Sequence, residues 1–220
     1  IVPGNDEPQS YGWRPDIVLQ VIIKPILATL QELHNADMTH GNIRVNNLFD
    51  SGTLPLQRII IGDCLASTYL SAQPELYLPP PLALAHPMGR GLGSPADDMY
   101  AFGVTCAILL RTHDPFLGKS KEDILLNKID MGTFSTLIEN ERLPSQLLEL
   151  LRGLLYDDPE TRWTIHDVQE WMDGKRVGHR QGAKRLKGSR HLILGDHKIL
   201  FPSFLSYYAS KDVPRAVKLI

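Results

Sequence analysis

The chain has 220 residues, 43% of them apolar and 22% charged, enough to bury one sizeable core with room for a short appendage. A net charge of -2 excludes a global electrostatic pull towards nucleic acid or an anionic membrane, so any such binding must reside in a local patch. Two cysteines, Cys64 and Cys106, exclude a disulfide framework and match no metal-ligand spacing. They point to a reducing, cytoplasmic setting in which each thiol serves as a small buried apolar group.

The opening "IVPGNDEPQSYGWRP" is punctuated by Pro and Gly and reads as extended or turned. From Asp16 to Asn35, Ile22, Ile26, Leu30 and Leu33 recur with helical period, and Pro25 should kink that helix. Between 39 and 66 the short runs "LFD" and "QRIII" flank the turn-forming "SGTLP", which predicts a small β-hairpin. Residues 67 to 97, with "LPPP" and "GRGLGSP", read as one long irregular segment of the kind that is usually functional or disordered. Helices follow over 98 to 111, 121 to 129, 144 to 156 and 164 to 173, with Pro144 and Thr164 as helix starts and Thr164 with Asp167 as an acidic capping pair. The near-apolar run "MYAFGVTCAILL" at 99 to 110 is a buried helix, too short to span a bilayer, and no membrane span is expected.

Composition changes at Gly174. The stretch from 174 to 191 carries Lys175, Arg176, Arg180, Lys184, Arg185, Lys187 and Arg190 without an acid and reads as a basic linker. Residues 192 to 220 read as a small appendage, with a hairpin around Gly195-Asp196 and two short helices.

Four motifs, in order, carry a resemblance. They are "LQELHNADMTHGNIRVNNLF", "IIIGDCLAS", "DDMYAFGV" and "LLELLRGLLYDDPETRWT". They resemble the catalytic loop, the metal-binding Asp-Phe-Gly segment, the central buried helix and the late Asp-Pro-x-x-Arg turn of the C-terminal lobe of a eukaryotic-type Ser/Thr protein kinase, over residues 1 to 173. The implied fold is a mainly α, kinase-like C-lobe with a small hairpin. By the same resemblance His40, Asp98 and Arg162 are structural, Asp98 accepting hydrogen bonds from the catalytic-loop backbone. Asn47 and Asp63 fall at the positions of magnesium ligands.

The departures matter as much. Where the family has its catalytic Asp, this chain has Asn42, whose amide cannot accept a proton at neutral pH. The Arg that follows the family's loop histidine is Gly41, so phosphorylation at Ser67, Thr68, Ser71 or Tyr77 would lack its usual receptor. Cys64 and Leu65 replace the Phe and Gly after Asp63. Candidates for the closing Ala-Pro-Glu are Pro79 to Pro81 or Ala85 to Met88, neither with a Glu for Arg162, which should then have another acceptor, with Asp97 and Glu75 as candidates, or be partly exposed. No Gly-rich phosphate loop or strand lysine is seen, since "VPGND" already resembles the segment after the hinge.

These residues imply a pseudokinase-like binding or regulatory module with little or no phosphotransfer. The alternative is an active Ser/Thr kinase whose N-lobe lies upstream. No cofactor is expected for this chain alone, and Mg-ATP for an intact parent protein. A protein or peptide partner is expected at the groove around Asn42, Asn47 and Asp63, and nucleic acid or an anionic surface is a further partner class for residues 175 to 190.

Overall fold

A computed structural model describes residues 13–50, 59–64, 70–111, 118–138 and 141–178. All of them belong to one compact unit, residues 1–180. The first helix runs as α1 (Pro15–Ile17), a π-helical stretch Val18–Ile23 and α2 (Lys24–Asn35). Pro25 accounts for the widened turn. It has no N–H and its ring would press on the carbonyl four residues back, so the register opens just before it and the Lys24 N–H donates to Leu19 O, five residues away. By length and composition the stretch Pro15–Asn35 would suit a bilayer. Here its apolar stripe of Val18, Ile22, Ile26 and Leu30 is spent inside the protein core.

That core is organised around α4 (Pro95–Leu110), in which every residue from Asp98 to Leu110 is buried. A helix apolar on all sides can only be a central one. It begins at Pro95 rather than at 98, because Ser94 and Asp97 form a reciprocal cap in which the Ser94 N–H donates to Asp97 Oδ2 at 2.9 Å. Against α4 pack α6 (Thr133–Ile138) and α7 (Ser145–Leu154), while α5 (Lys121–Met131) packs on α6 and α8 (Ile165–Met172) on α2. Gly103 permits a close approach of α7: a Cβ there would lie 2.7 Å from Leu154 Cβ. The short α6 is not foreseen by periodicity, and Gly132 at φ 85 separates it from α5. Thr164 and Asp167 cap α8 in both directions. Gly174, at φ 76, closes α8 with its N–H on Trp171 O and the Lys175 N–H on Glu170 O. Val177, past that turn, is buried in the same core. The basic stretch from 179 onward and the appendage at 192–220 lie outside the described residues.

The hairpin pairs β1 (Leu48–Asp50) antiparallel to β2 (Ile59–Ile61), with Phe49 opposite Ile60. Its turn lies outside the described residues. The segment expected to be irregular is, from Leu70 onward, a succession of 3-10 turns and one short helix, α3 (Pro80–Leu84). Buried Arg90 stitches it together, donating to Gln73 O at 3.1 Å, Ala85 O at 3.3 Å and Glu75 Oε1 at 3.0 Å. Gln73 in turn donates to Ile43 O at 3.1 Å. Of the two thiols, Cys106 is buried and its pKa is pushed up by that burial, whereas Cys64 is exposed, against expectation. Cys64 follows β2 beside Asp63, itself exposed.

Candidate functional site

The groove is built from the end of α2. Asp37 adopts a left-handed φ of 56°, which lets the Asp37 N–H reach His34 O and the Met38 N–H reach Leu33 O. The chain then passes under the first turns of α4. There Asp98, 3% exposed, accepts the His40 N–H at 2.7 Å, the Gly41 N–H at 2.8 Å and the His34 ring Nε2 at 2.9 Å. One buried carboxylate thus holds two successive loop amides and an α2 side chain. Gly41 sits at φ 70, a conformation that glycine adopts without strain and other residues do not. His40 is buried, and desolvation lowers its pKa below the ordinary histidine value, with Asp98 opposing that shift. Its Nδ1 accepts the Asn42 N–H at 3.3 Å.

Asn42 is 2% exposed. Its Nδ2 donates to the backbone carbonyl of Asp63 at 3.1 Å, and its Oδ1 is buried without a hydrogen-bond partner. The amide is oriented by this contact, because turning it over would set oxygen against oxygen. Asn47 spans the same space: its Nδ2 donates to Asn42 O at 2.9 Å and to Gly62 O, leaving its own Oδ1 without a partner. Asp63 lies at the open side, exposed and at φ 47. Asn42, Asn47 and Asp63, distant by up to 21 positions in sequence, therefore meet in one place. As oxygen donors, Asn47 Oδ1 and the Asp63 carboxylate suit a hard cation that takes its remaining ligands from a phosphate. Among the described residues no three His, Cys, Asp or Glu side chains form a metal cluster of their own.

Arg162 lies beside the first turns of α4. It is 1% exposed, and its guanidinium donates to Tyr156 O at 2.8 Å, Ala96 O at 2.6 Å and Asp157 O at 3.1 Å. Asp97 Oδ1 stands 3.9 Å away and the Tyr100 ring centroid 4.8 Å from the guanidinium carbon. Of the two expected acceptors Asp97 is the one in reach. Glu75 instead pairs with Arg90 and, at 3.8 Å, with Lys121.

Next to Arg162 is a group that the sequence reading did not single out. Lys128, also 1% exposed, donates to Leu76 O at 3.0 Å and Leu78 O at 2.7 Å, and lies 5.1 Å from the centroid of Tyr100. Burial lowers its pKa to about 7, Arg162 adds to the shift and Asp157 opposes it. Asp157 is pushed the other way by burial, against bonds from the Thr133 N–H at 3.2 Å and hydroxyl at 2.6 Å. The Thr133 hydroxyl also pairs with the Tyr100 hydroxyl at 2.7 Å. A signal was present: Lys128 lies four residues after Ile124 and directly before Ile129, on the inward face of α5.

Serine/threonine-protein kinase GRIK1 of Arabidopsis thaliana is 29% identical to the chain over 177 residues, which cover 77% of this chain and 43% of that protein. The chain is homologous to Ser/Thr protein kinases over their C-lobe region. Serine/threonine-protein kinase 17A of Oryctolagus cuniculus is 26% identical over 68% of this chain and 38% of its own length. The kinase C-lobe is also seen in the fold: a crystal structure of the Rad53 kinase domain and SCD2 in complex with AMPPNP superimposes with a TM-score of 0.50, at 18% identity, over 67% of this chain and 55% of that one. No family model matches the chain. The chain spans about two fifths of the length of the kinases to which it is similar.

Proposed function

We propose that this kinase-like chain is a binding or regulatory module with little or no phosphotransfer activity, working in a cytoplasmic setting. The observation that carries the reading is Asn42: a neutral amide stands at the position of the catalytic base, with its Nδ2 committed to the Asp63 carbonyl. It has no lone pair basic enough to take a hydroxyl proton at neutral pH, and general-base assistance is worth roughly 10² to 10⁴ in rate. The loop itself is kept rigid by Asp98, so the groove persists as a shaped surface for a protein or peptide partner. The basic residues from 175 to 190 offer a second partner class, nucleic acid or an anionic surface.

A second reading, an active Ser/Thr kinase, is favoured by one feature: Asn47 Oδ1 lacks a partner and Asp63 is exposed, so a magnesium ion carried with ATP would find two oxygen ligands in a longer parent protein. The bound ion would neutralise phosphate charge.

A phosphotransfer assay with radiolabelled Mg-ATP separates the two, run on the 220-residue chain and on any longer parent protein that contains it, each as wild type, Asn42→Asp and Asp63→Asn. Transfer at background level in all forms is expected. Transfer by the wild-type parent that disappears with Asp63→Asn, or a gain of roughly 10² or more with Asn42→Asp, would overturn the binding-module reading.

A further inference from the structure

Helix α5 is attached to the protein unlike its neighbours. Each of α6, α7 and α8 buries apolar side chains in the core, Leu137, Leu150 and Val168 among them, whereas the only buried residue of α5 is Lys128. Ile124, Leu125, Leu126 and Ile129 stay partly exposed, Met131 is 47% exposed, and none of them joins the main core cluster. A cavity of about 260 Å³ lies between α5 and the segment before α3, walled by Pro74 and Leu76 on one side and by Ile124 and Leu125 on the other. A helix that buries so little apolar surface is the kind that opens locally, well below the free energy of global unfolding.

Two polar ties reach from α5 to that segment. At the surface Lys121, its side chain 83% exposed, stands 3.8 Å from Glu75, a pair worth little in water. In the interior Lys128 Nζ donates to Leu76 O at 3.0 Å and to Leu78 O at 2.7 Å. At its C-terminal end α5 stops at Gly132, whose φ of 85° suits a pivot, and beyond it the chain is anchored at once by the Thr133 N–H and hydroxyl on Asp157. The charged and titratable groups around Lys128 are Arg162 and Asp157 from the turn before α8, Tyr100 from α4, and Glu75 and Lys121 at the cavity. Helices α3 and α6, which also pack on α5, carry no titratable side chain.

We propose that α5 is a releasable helix, pivoting at Gly132 and latched to the 74–78 segment by the buried Lys128. Closure places the amine beside Arg162 and away from water, which lowers its pKa to about 7, whereas release returns it to solvent and to its ordinary value of 10.5. The released form therefore binds the proton more readily. Opening is favoured as the pH falls, and the effect is complete below pH 7. The latch is independent of whether the groove carries out phosphotransfer.

Hydrogen exchange of backbone amides in the full 220-residue chain tests it, read at Leu125, Leu126 and Lys128 of α5 against Leu150 and Leu151 of α7 and corrected for intrinsic rates. The α5 amides should be at least roughly tenfold less protected than those of α7. They should also be unmoved by urea up to about 1 M, since a local opening exposes little surface, while the α7 amides respond to it. Between pH 8 and pH 6.5 protection in α5 should fall roughly tenfold, and in Lys128→Met it should stay constant. Protection and urea response in α5 equal to those in α7 would show that the helix leaves only on global unfolding. That result would overturn the proposal on the wild-type chain alone, whether or not the variant folds. Equal wild-type protection in α5 at the two pH values, or a pH response that persists in folded Lys128→Met, would overturn the latch.

Discussion

The groove around Asn42 and the buried cluster around Arg162 both rest on the first turns of α4, one through Asp98 and the other through Ala96 and Tyr100, and differ in how their polar groups are met. In the groove Asp98 holds the loop amides at 2.7 and 2.8 Å, and the neutral Asn42 amide donates to the Asp63 carbonyl. In the cluster three backbone carbonyls receive the Arg162 guanidinium, with Asp97 3.9 Å away. A change of chemistry at a surface groove leaves packing intact. A lost carboxylate in the interior must be replaced by other acceptors, since a buried cation without them costs several kcal/mol.

If the cluster is a true structural centre, Arg162→Ala should be the most damaging change, costing about 3 to 5 kcal/mol in urea denaturation, because it strands three carbonyls and Asp97. A loss under about 1 kcal/mol would break the contrast by making the cluster as tolerant as the groove.

Lys128 sharpens the same point through pH. Its folded pKa of about 7 lies below the unfolded value of 10.5, so between these limits the unfolded chain holds a proton that the folded chain does not. Stability should therefore rise from pH 7 towards pH 9, by up to about 1.4 kcal/mol per unit, with the cost fully present below pH 7. Lys128→Met should flatten that rise in denaturation curves taken at several pH values. A wild-type curve already flat over this range would show that the lysine is not held neutral.

Asn42→Asp tests the groove. It sets a carboxylate oxygen in the place of an N–H that now meets the Asp63 carbonyl at 3.1 Å, and should destabilise the fold by about 1 to 3 kcal/mol at pH 7, less at pH 4, where the acid is protonated. No loss at pH 7 would mean that the groove accepts the charge.

The smallest effect is expected at Asp37, exposed and at φ 56, where Asp37→Gly should stabilise the fold by about 0.5 to 1 kcal/mol by relieving a left-handed conformation. Thermal unfolding reads it, and a loss of stability would assign the Asp37 side chain a role of its own.

What the sequence determined by itself was local. Apolar periodicity placed the helices at 16–35, 121–131, 145–154 and 165–172 to within a few residues, because a stripe at 3.6-residue spacing can be buried only as a helix. Thr164 with Asp167 marked the start of α8, a cap needing only four consecutive residues. Motif order brought Asn42, Asn47 and Asp63 into one groove, where they meet through the Asn42 and Asn47 amides. What the tertiary structure alone decided depends on groups far apart in the chain. The order within 70–93 rests on Arg90 reaching Gln73 and Glu75, 17 and 15 residues away, and on Gln73 reaching Ile43, 30 residues away. The pKa of Lys128 is lowered by burial beneath carbonyls 50 and 52 residues back. Cys64 is exposed and Cys106 buried although the two are the same residue, since burial belongs to the layer that covers a side chain and not to the side chain.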